Sequence, residues 1–232
     1  MSAGGDKRGG RIGTLCSLLE RAEVFADVGC DHGYCTEYML EKGLCGRAVF
    51  SDISAGSLSK AERLLAAYVA AGRAKGYLGA GFEGQPRADE VLIAGMGGRE
   101  IVGILSDEKW GYLPEKFLFQ PMHDAEFLRR FLIRAGGYIE RDFTFQAGGK
   151  FYDVVKGRRL LPGERAQDYS PAGYMFGGEN LRSRPPAFIE RTKKQLREIG
   201  EYLSVPGLGE NSRTALEERR RRLEEVLKNE NG

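Results

Sequence analysis

The chain is poor in the residues that build metal and disulfide sites. It has four cysteines and two histidines in 232 residues. Cys16, Cys30, Cys35 and Cys45 all fall in the first 45 residues, and none forms a C-x-x-C pair with a second pair to match. That spacing argues against a structural zinc site, so no metal is expected, and the thiols read as reduced and partly buried. No apolar run approaches 18 residues, which excludes a transmembrane helix on length. Met1–Gly10 is glycine-rich and lacks the apolar centre of a signal peptide. It reads as a leader, and the protein is expected in the cytoplasm without a membrane partner. A strong excess of charge is also missing: 35 Lys and Arg stand against 33 Asp and Glu, with a net charge of +2 and a pI near 8.3. Binding nucleic acid by bulk charge alone is thereby excluded, and a nucleic-acid substrate would require clustered basic residues.

What is present suffices for a folded core. Hydrophobic residues make up 41% and charged residues 29%, a globular balance. The length suits one large domain, or a domain of about 150 residues with an appendage.

Strand-like and helix-like segments alternate from the start. Ile12, Leu15, Leu18 and Leu19 recur at helical spacing across residues 11–21. Strands are predicted over 24–28, 47–53, 75–78, 90–94 and 117–120. Helices are predicted over 34–42, 57–71 and 99–105, and over a segment carrying Phe127, Leu128, Phe131 and Leu132 that Asp124 is placed to cap. Residues 138–145 and 151–158 alternate as an antiparallel pair around the Gly148-Gly149 loop. Such alternation implies a parallel sheet with helices on both faces. The expected architecture is α/β, a Rossmann-like seven-stranded sheet over residues 11–160 whose last two strands are antiparallel, the usual ending of the methyltransferase version of that sheet. Residues 161–181, with Pro162 and Pro171 and no periodicity, read as a connector. Residues 182–232 carry apolar positions three or four apart: Phe188 or Ile189, Thr192, Leu196, Ile199 and Leu203, then Leu216, Leu223, Val226 and Leu227. They read as a C-terminal helical, coiled-coil-like hairpin. It holds 12 basic against 9 acidic residues. The run Arg219–Arg222 points all around a helix and makes no single basic face.

The chemistry gathers at the strand ends. Asp27-Val28-Gly29-Cys30-Asp31-His32-Gly33 follows the first strand and opens a helix. Glycine lets the backbone approach a ligand closely, and a helix N-terminus offers unpaired N–H groups. A dinucleotide loop would need glycine where Asp31 stands, since a carboxylate there repels a pyrophosphate. The same carboxylate tolerates the ammonium or sulfonium of S-adenosylmethionine, which favours that cofactor over NAD. Asp52, with Ile53 beside it, ends the next strand 25 residues after Asp27, where an acidic residue typically accepts ribose hydroxyls. Gly79-Ala80-Gly81-Phe82 is placed beside an adenine. Gly95-Met96-Gly97-Gly98 removes side chains at the crevice where ligands of open α/β sheets bind.

Taken in order, Asp27–Tyr34, Ser51-Asp52-Ile53-Ser54, Ile93–Gly98, Phe119-Gln120-Pro121 and Gly149–Val154 resemble the bacterial tRNA adenine-N1 methyltransferases that modify adenine 22. The resemblance runs from Arg11 to the C-terminus. It implies an enzyme that uses S-adenosylmethionine and a tRNA substrate, acting as a monomer. Asp31, His32 and Tyr34 are its candidate catalytic residues. Arg11, Asp27, Gly29, Asp31, Gly33, Asp52, Ile53, Ala80, Gly81, Gly95 and Met96 are the candidate cofactor-binding residues. The Asn/Asp-Pro-Pro-Tyr/Phe loop of enzymes that methylate exocyclic amines is missing after strand four. One departure stands out: Ala80 replaces the acidic residue usual in the strand-three loop. His32 also reads as a helix cap, Tyr34 as core, and His123 as an exposed turn close to the crevice. The competing functions are methylation of a small molecule or protein, and a non-catalytic cofactor-binding RNA regulator.

Overall fold

The computed structural model describes residues 9–228. Most of the expected leader lies outside them, and Gly10 already opens the first helix, α1 (Gly10–Leu18). There follow β1 (Ala22–Val28), α2 (Tyr34–Glu41), β2 (Cys45–Asp52), α3 (Ala55–Leu64), α4 (Ala66–Ala70) and β3 (Ala74–Leu78). The second half of the sheet domain holds β4 (Glu90–Met96), α5 (Gly98–Leu105), β5 (Lys116–Pro121), α6 (Ala125–Arg134), β6 (Gly137–Ala147) and β7 (Lys150–Arg159). The seven strands lie in the order β3-β2-β1-β4-β5-β7-β6. β1 to β5 are parallel, and β7 runs antiparallel to both β5 and β6. The seven-stranded sheet predicted from the alternation is therefore present, with its antiparallel ending.

Alternation along the buried strands splits the core in two. Phe25, Leu92, Leu118 and Val154 face the layer of α1 to α4. Ala26, Val91, Ile93, Phe117 and Phe119 face α5 and α6. The chain passes from β3 across the sheet to β4, so strand order reverses between β1 and β4. The ends of these two strands part there and leave a crevice.

Three expectations need correction. The helix predicted over 57–71 is two helices, α3 and α4, broken at Leu65 (φ −93°, ψ 9°). Leu65 is fully buried, and its side chain lies under Gly33. Core packing, not the helix repeat, decides its backbone. Asp124 stands at the start of α6 but makes no side-chain cap. Its φ of 55° departs from the extended geometry of a capping residue, and its carboxylate meets His123 Nδ1 at 3.0 Å and Arg99 Nε at 3.5 Å instead. The connector holds two short helices, α7 (Pro171–Phe176) and α8 (Gly178–Ser183). Six residues are too few to show a helical period, and buried polar contacts hold them in place.

Those contacts centre on Arg129 and Asp142, each 1% exposed. Arg129 Nε donates to both Asp142 oxygens at 2.9 and 3.0 Å, and Nη1 donates to the carbonyls of Tyr174 and Met175. Asp142 also accepts from Tyr169 Oη and the Gly178 N–H. Asn180, fully buried, accepts from the Thr144 N–H at 2.8 Å. The hairpin follows as α9 (Pro186–Leu203) and α10 (Glu210–Lys228), packed on each other and, through α9, on β6 and β7. Phe188, Thr192, Ile199, Leu223 and Val226 are its buried positions. Arg191 Nη1 donates to Asp153 Oδ1 of β7 at 2.6 Å. In the arginine run, Arg220, Arg221 and Arg222 pair with Glu224, Glu225 and Glu218 one turn away, which cancels their charge locally.

Among the described residues no helix is long and apolar enough to cross a membrane. No group of three His, Cys, Asp or Glu is placed to hold a metal ion among them. All four cysteines are buried free thiols, with Cys16 and Cys35 sulfurs 3.9 Å apart.

Candidate active site

The site is built from four strand-end loops. The loop after β1 turns sharply. The Gly29 and Cys30 N–H groups both bond the Ser51 carbonyl of β2 at 2.8 and 2.9 Å, which ties the loop to its neighbour. Gly29 has φ +74°, and a Cβ there would stand 2.2 Å from Met96 Cε. Gly33 has φ +76°, and a Cβ would press on Ala61 and Leu65. Both left-handed positions favour glycine, which lets the loop pass close to Met96 at Gly29 and pack on α3 at Gly33.

Asp27 sits beneath this loop, 5% exposed, accepting from Thr36 Oγ1 at 2.8 Å. Burial pushes its carboxyl up to about 6, against the Thr36 hydrogen bonds that favour the charged form. A buried carboxyl held this far from water suits a cationic ligand group, whose charge would restore the ionised form.

Asp31 follows in a left-handed conformation (φ 47°) with its carboxylate exposed. Its N–H donates to Asp52 Oδ2 at 3.1 Å, while the Ser54 N–H donates to Asp52 Oδ1 at 2.8 Å. One carboxylate thus links the ends of β1 and β2. Asp31 Oδ2 lies 2.7 Å from His32 Nδ1, and its other oxygen is 3.9 Å from Lys60 Nζ. His32 and Tyr34 rings stack, 5.4 Å between centroids and 5° from parallel. Gly33, not His32, occupies the N-cap of α2, and Tyr34 is half-buried. The structure therefore brings the three candidate catalytic residues together.

On the other side of the crevice, Gly95 has φ +83° and is exposed. A Cβ on Gly95 would lie 3.2 Å from Arg11 Nη1, and Arg11 in turn donates to the fully buried Gln120 at 2.6 Å. Arg11 is thus fixed at the end of β4. Gly98 packs on backbone: a Cβ would stand 2.2 Å from the Asp124 carbonyl, and its N–H bonds the His123 carbonyl at 2.8 Å. The exposed His123 ring covers Gly97.

Ile53 is 78% exposed at the rim beside Asp52. Ala80 is exposed, and its N–H faces Glu83 Oε2 at 3.4 Å; the same carboxylate lies against Gly79. Gly81, at φ +57°, accepts from Ser51 Oγ and Gln85 Nε2. Glu83, directly after the Gly79–Phe82 loop, went unnoticed in the sequence because it belongs to no motif with a readable spacing. Gln120 stands there only within the Phe119-Gln120-Pro121 segment of the resemblance, and its contact with Arg11 depends on a residue 109 positions away.

A model of the methyltransferase domain matches residues 9–155. A Mycoplasma pneumoniae protein classed among the tRNA methyltransferases is 33% identical over 192 residues, 80% of this chain and 83% of that protein. The chain belongs to the bacterial tRNA methyltransferases. Another relative, the tRNA (adenine(22)-N(1))-methyltransferase of Bacillus subtilis, is 25% identical over 226 residues, covering 92% of this chain and 93% of that one. Among solved structures, Mycoplasma capricolum TrmK in complex with S-adenosyl-homocysteine superposes with a TM-score of 0.80 at 16% identity, covering 94% of this chain and 96% of that chain. The likeness in fold thus extends over the C-terminal hairpin as well as the sheet domain.

Proposed function

We propose that this protein transfers a methyl group from S-adenosylmethionine to N1 of an adenine in tRNA, at the position 22 for which its Bacillus subtilis relative is named. The observation that carries the reading is the placement of the exposed Asp31 carboxylate. The Asp52 latch holds it at the mouth of a crevice whose opposite lip is the glycine-lined end of β4.

The residues suit the methyl donor. Asp27 and the backbone at Gly29 and Gly33 would face its amino-acid end, Asp52 would accept its ribose hydroxyls, and Ala80 and Gly81 would flank its adenine. Bound there, S-adenosylmethionine supplies a methyl carbon already activated by a sulfonium. The protein's remaining task is to hold the attacking nitrogen in line. Adenine N1 has a lone pair and needs no strong base, but its methylated product is cationic. Asp31 stabilises that developing charge, and His32, bonded to Asp31, fixes the carboxylate's direction. Tyr34 offers a stacking face on the same side. The exposed backbone at Gly95 leaves room for an adenine displaced from its tRNA stack. The enzyme works as a single chain in the cytoplasm on this reading.

Mass-spectrometric mapping of tRNA incubated with enzyme and methyl donor tests the proposal. N1-methyladenosine at position 22 is expected. Methylated product only on proteins or small amines, or donor binding with no product at all, would overturn it.

A further inference from the structure

The chain has two histidines, and a left-handed aspartate holds each of them. Asp31 and Asp124, at φ 47° and 55°, are two of the three non-glycine residues with positive φ among the described residues. The third, Arg184 (φ 46°), ends α8, an ordinary place for such a backbone. Asp31 Oδ2 lies 2.7 Å from His32 Nδ1, and Asp124 Oδ2 lies 3.0 Å from His123 Nδ1. Each carboxylate also faces a cation: Lys60 Nζ is 3.9 Å from Asp31, and Arg99 Nε is 3.5 Å from Asp124. Each unit rests on a ring, with His32 stacked on Tyr34 and the Arg99 guanidinium over Phe127. Strained backbone at non-glycine residues clusters where a fold carries function. The first unit follows β1 and holds the proposed catalytic carboxylate. The second follows β5, and the reaction described above gives it no task.

The second unit stands on the opposite lip of the crevice. The Met122 N–H bonds the Met96 carbonyl and the Gly98 N–H bonds the His123 carbonyl, both at 2.8 Å, which stitches the turn to the end of β4. The His123 ring lies where a side chain at position 97 would stand: a Cβ on Gly97 would be 2.5 Å from Cε1 and 3.0 Å from Nε2. A carboxylate at Nδ1 keeps the proton of the neutral ring there and leaves the lone pair on Nε2. Nε2 has no hydrogen-bond partner among the described residues, and the side chain is 70% exposed. A free acceptor thus borders the place proposed for the base, on the lip facing Asp31.

Methylation of adenine at N1 leaves a positive charge shared with the N6 amino group, because both nitrogens are bonded to one carbon. The N6 hydrogens become stronger donors as that charge develops, so an acceptor beside them gains most in the transition state. A base with oxygen at this place would set a second lone pair against Nε2.

We propose that His123, held by Asp124, binds the reacting base by accepting a hydrogen from its N6 amino group at Nε2, and so selects adenine. The inference rests on the adenine-N1 reading above.

The test compares two tRNAs that differ only at the target base, one with adenine and one with purine, which lacks the amino group. Each is titrated with wild-type protein, His123→Ala and His123→Phe in the presence of S-adenosylhomocysteine, so that no reaction intervenes. Wild type should bind the adenine tRNA at least about threefold more tightly, the scale of one hydrogen bond. His123→Ala should bind the two alike. Its turnover on adenine tRNA should fall at least about tenfold while its affinity for S-adenosylmethionine stays unchanged. His123→Phe, which keeps a flat ring over Gly97 but no acceptor, should lose the discrimination too, even if the alanine variant loosens the turn. Comparing two tRNAs on one protein sample cancels any loss of folded protein. A wild type that does not distinguish the tRNAs overturns the proposal, and so does a variant that still does. A wild type that leaves N1 of the adenine unmethylated overturns the underlying reading itself, an outcome distinct from these.

Discussion

The Asp52 carboxylate accepts the backbone N–H of Asp31 at 3.1 Å, so the residue proposed to bind the cofactor's ribose also holds the loop that presents the proposed catalytic carboxylate. The two roles separate by substitution. Asp52→Asn keeps one oxygen that can accept either N–H, whereas Asp52→Ala loses both acceptors. Donor affinity should fall in both variants, and kcat should fall further in Asp52→Ala because the Asp31 loop is released. Calorimetric titration with S-adenosylmethionine, set beside kcat at saturating donor, checks this; equal kcat in the two variants would remove the latch from the account.

Asp31→Asn preserves the size and the left-handed backbone preference of the residue while removing its charge. Donor binding should persist, and methylation should drop at least about tenfold, the scale of one transition-state contact. Unchanged turnover would assign Asp31 a purely structural place.

The Asp27 carboxyl gives an unusual sign of pH dependence. Its folded-state value, raised to about 6, lies above that of an unfolded aspartate near 3.8. Between those values the native state binds more protons than the unfolded chain, so stability contributed by this group falls as pH rises through the window. The shift corresponds to up to about 3 kcal/mol. Glu90, buried and pushed up to about 7, acts in the same sense over a window ending nearer neutrality. The ligand-free protein should therefore melt higher at pH 5.5 than at pH 8 as far as these two groups decide it. Asp27→Asn should raise the melting temperature at pH 8 and weaken donor binding. Donor affinity should itself decline below pH 6, where the carboxyl proposed to face the ammonium becomes neutral. Melting curves and titrations across pH 5–8 measure both.

Two glycines of α5 should respond to alanine with opposite signs. At Gly98 the added carbon would meet the Asp124 carbonyl at 2.2 Å, and this is backbone that cannot swing aside. At Gly103 nothing lies within 4 Å. Gly103→Ala should stabilise by about 0.5–1 kcal/mol through helix propensity. Gly98→Ala should destabilise by about 1–3 kcal/mol, as overpacking does, and lower activity by shifting the Gly95–Gly98 loop. Urea unfolding of the pair decides it.

Removing one partner of the buried Arg129–Asp142 pair strands the other charge away from water. Arg129→Met should cost about 3–5 kcal/mol. Amide exchange should accelerate first in α7 and α8, whose backbone the pair holds, while the parallel strands stay protected. A uniform loss of protection would show that the pair supports the whole domain and not its C-terminal attachment.

Much of the sheet and of the crevice could be read from residue order alone, because buried parallel strands and the glycines after them leave short-range signals. Asp27, Gly29 and Gly33 are constrained by neighbours a few positions away, and the loop pattern records that. What escaped reading depends on distant partners. The break at Leu65 arises from packing under Gly33. α7 and α8 depend on Arg129 and Asp142, two charged residues whose positions in an amphipathic helix and an alternating strand look solvent-facing. Tyr152 lies in the Gly149–Val154 segment of the resemblance, but its contact with Arg11, 141 positions earlier, leaves no short-range signal.

The left-handed backbone at Asp31 has an evolutionary consequence. At φ 47° few side chains stand without strain, and those that do are chiefly asparagine, aspartate and glycine. The substitutions the fold tolerates best are therefore the ones that discard the charge, and an aspartate codon becomes an asparagine codon by a single base change. On the reading proposed here, a lineage released from the need for this modification would pass through a well-folded, donor-binding but inert protein before it lost the fold. Inactive descendants of this enzyme should be recognisable by an amide at this one position in an otherwise intact crevice.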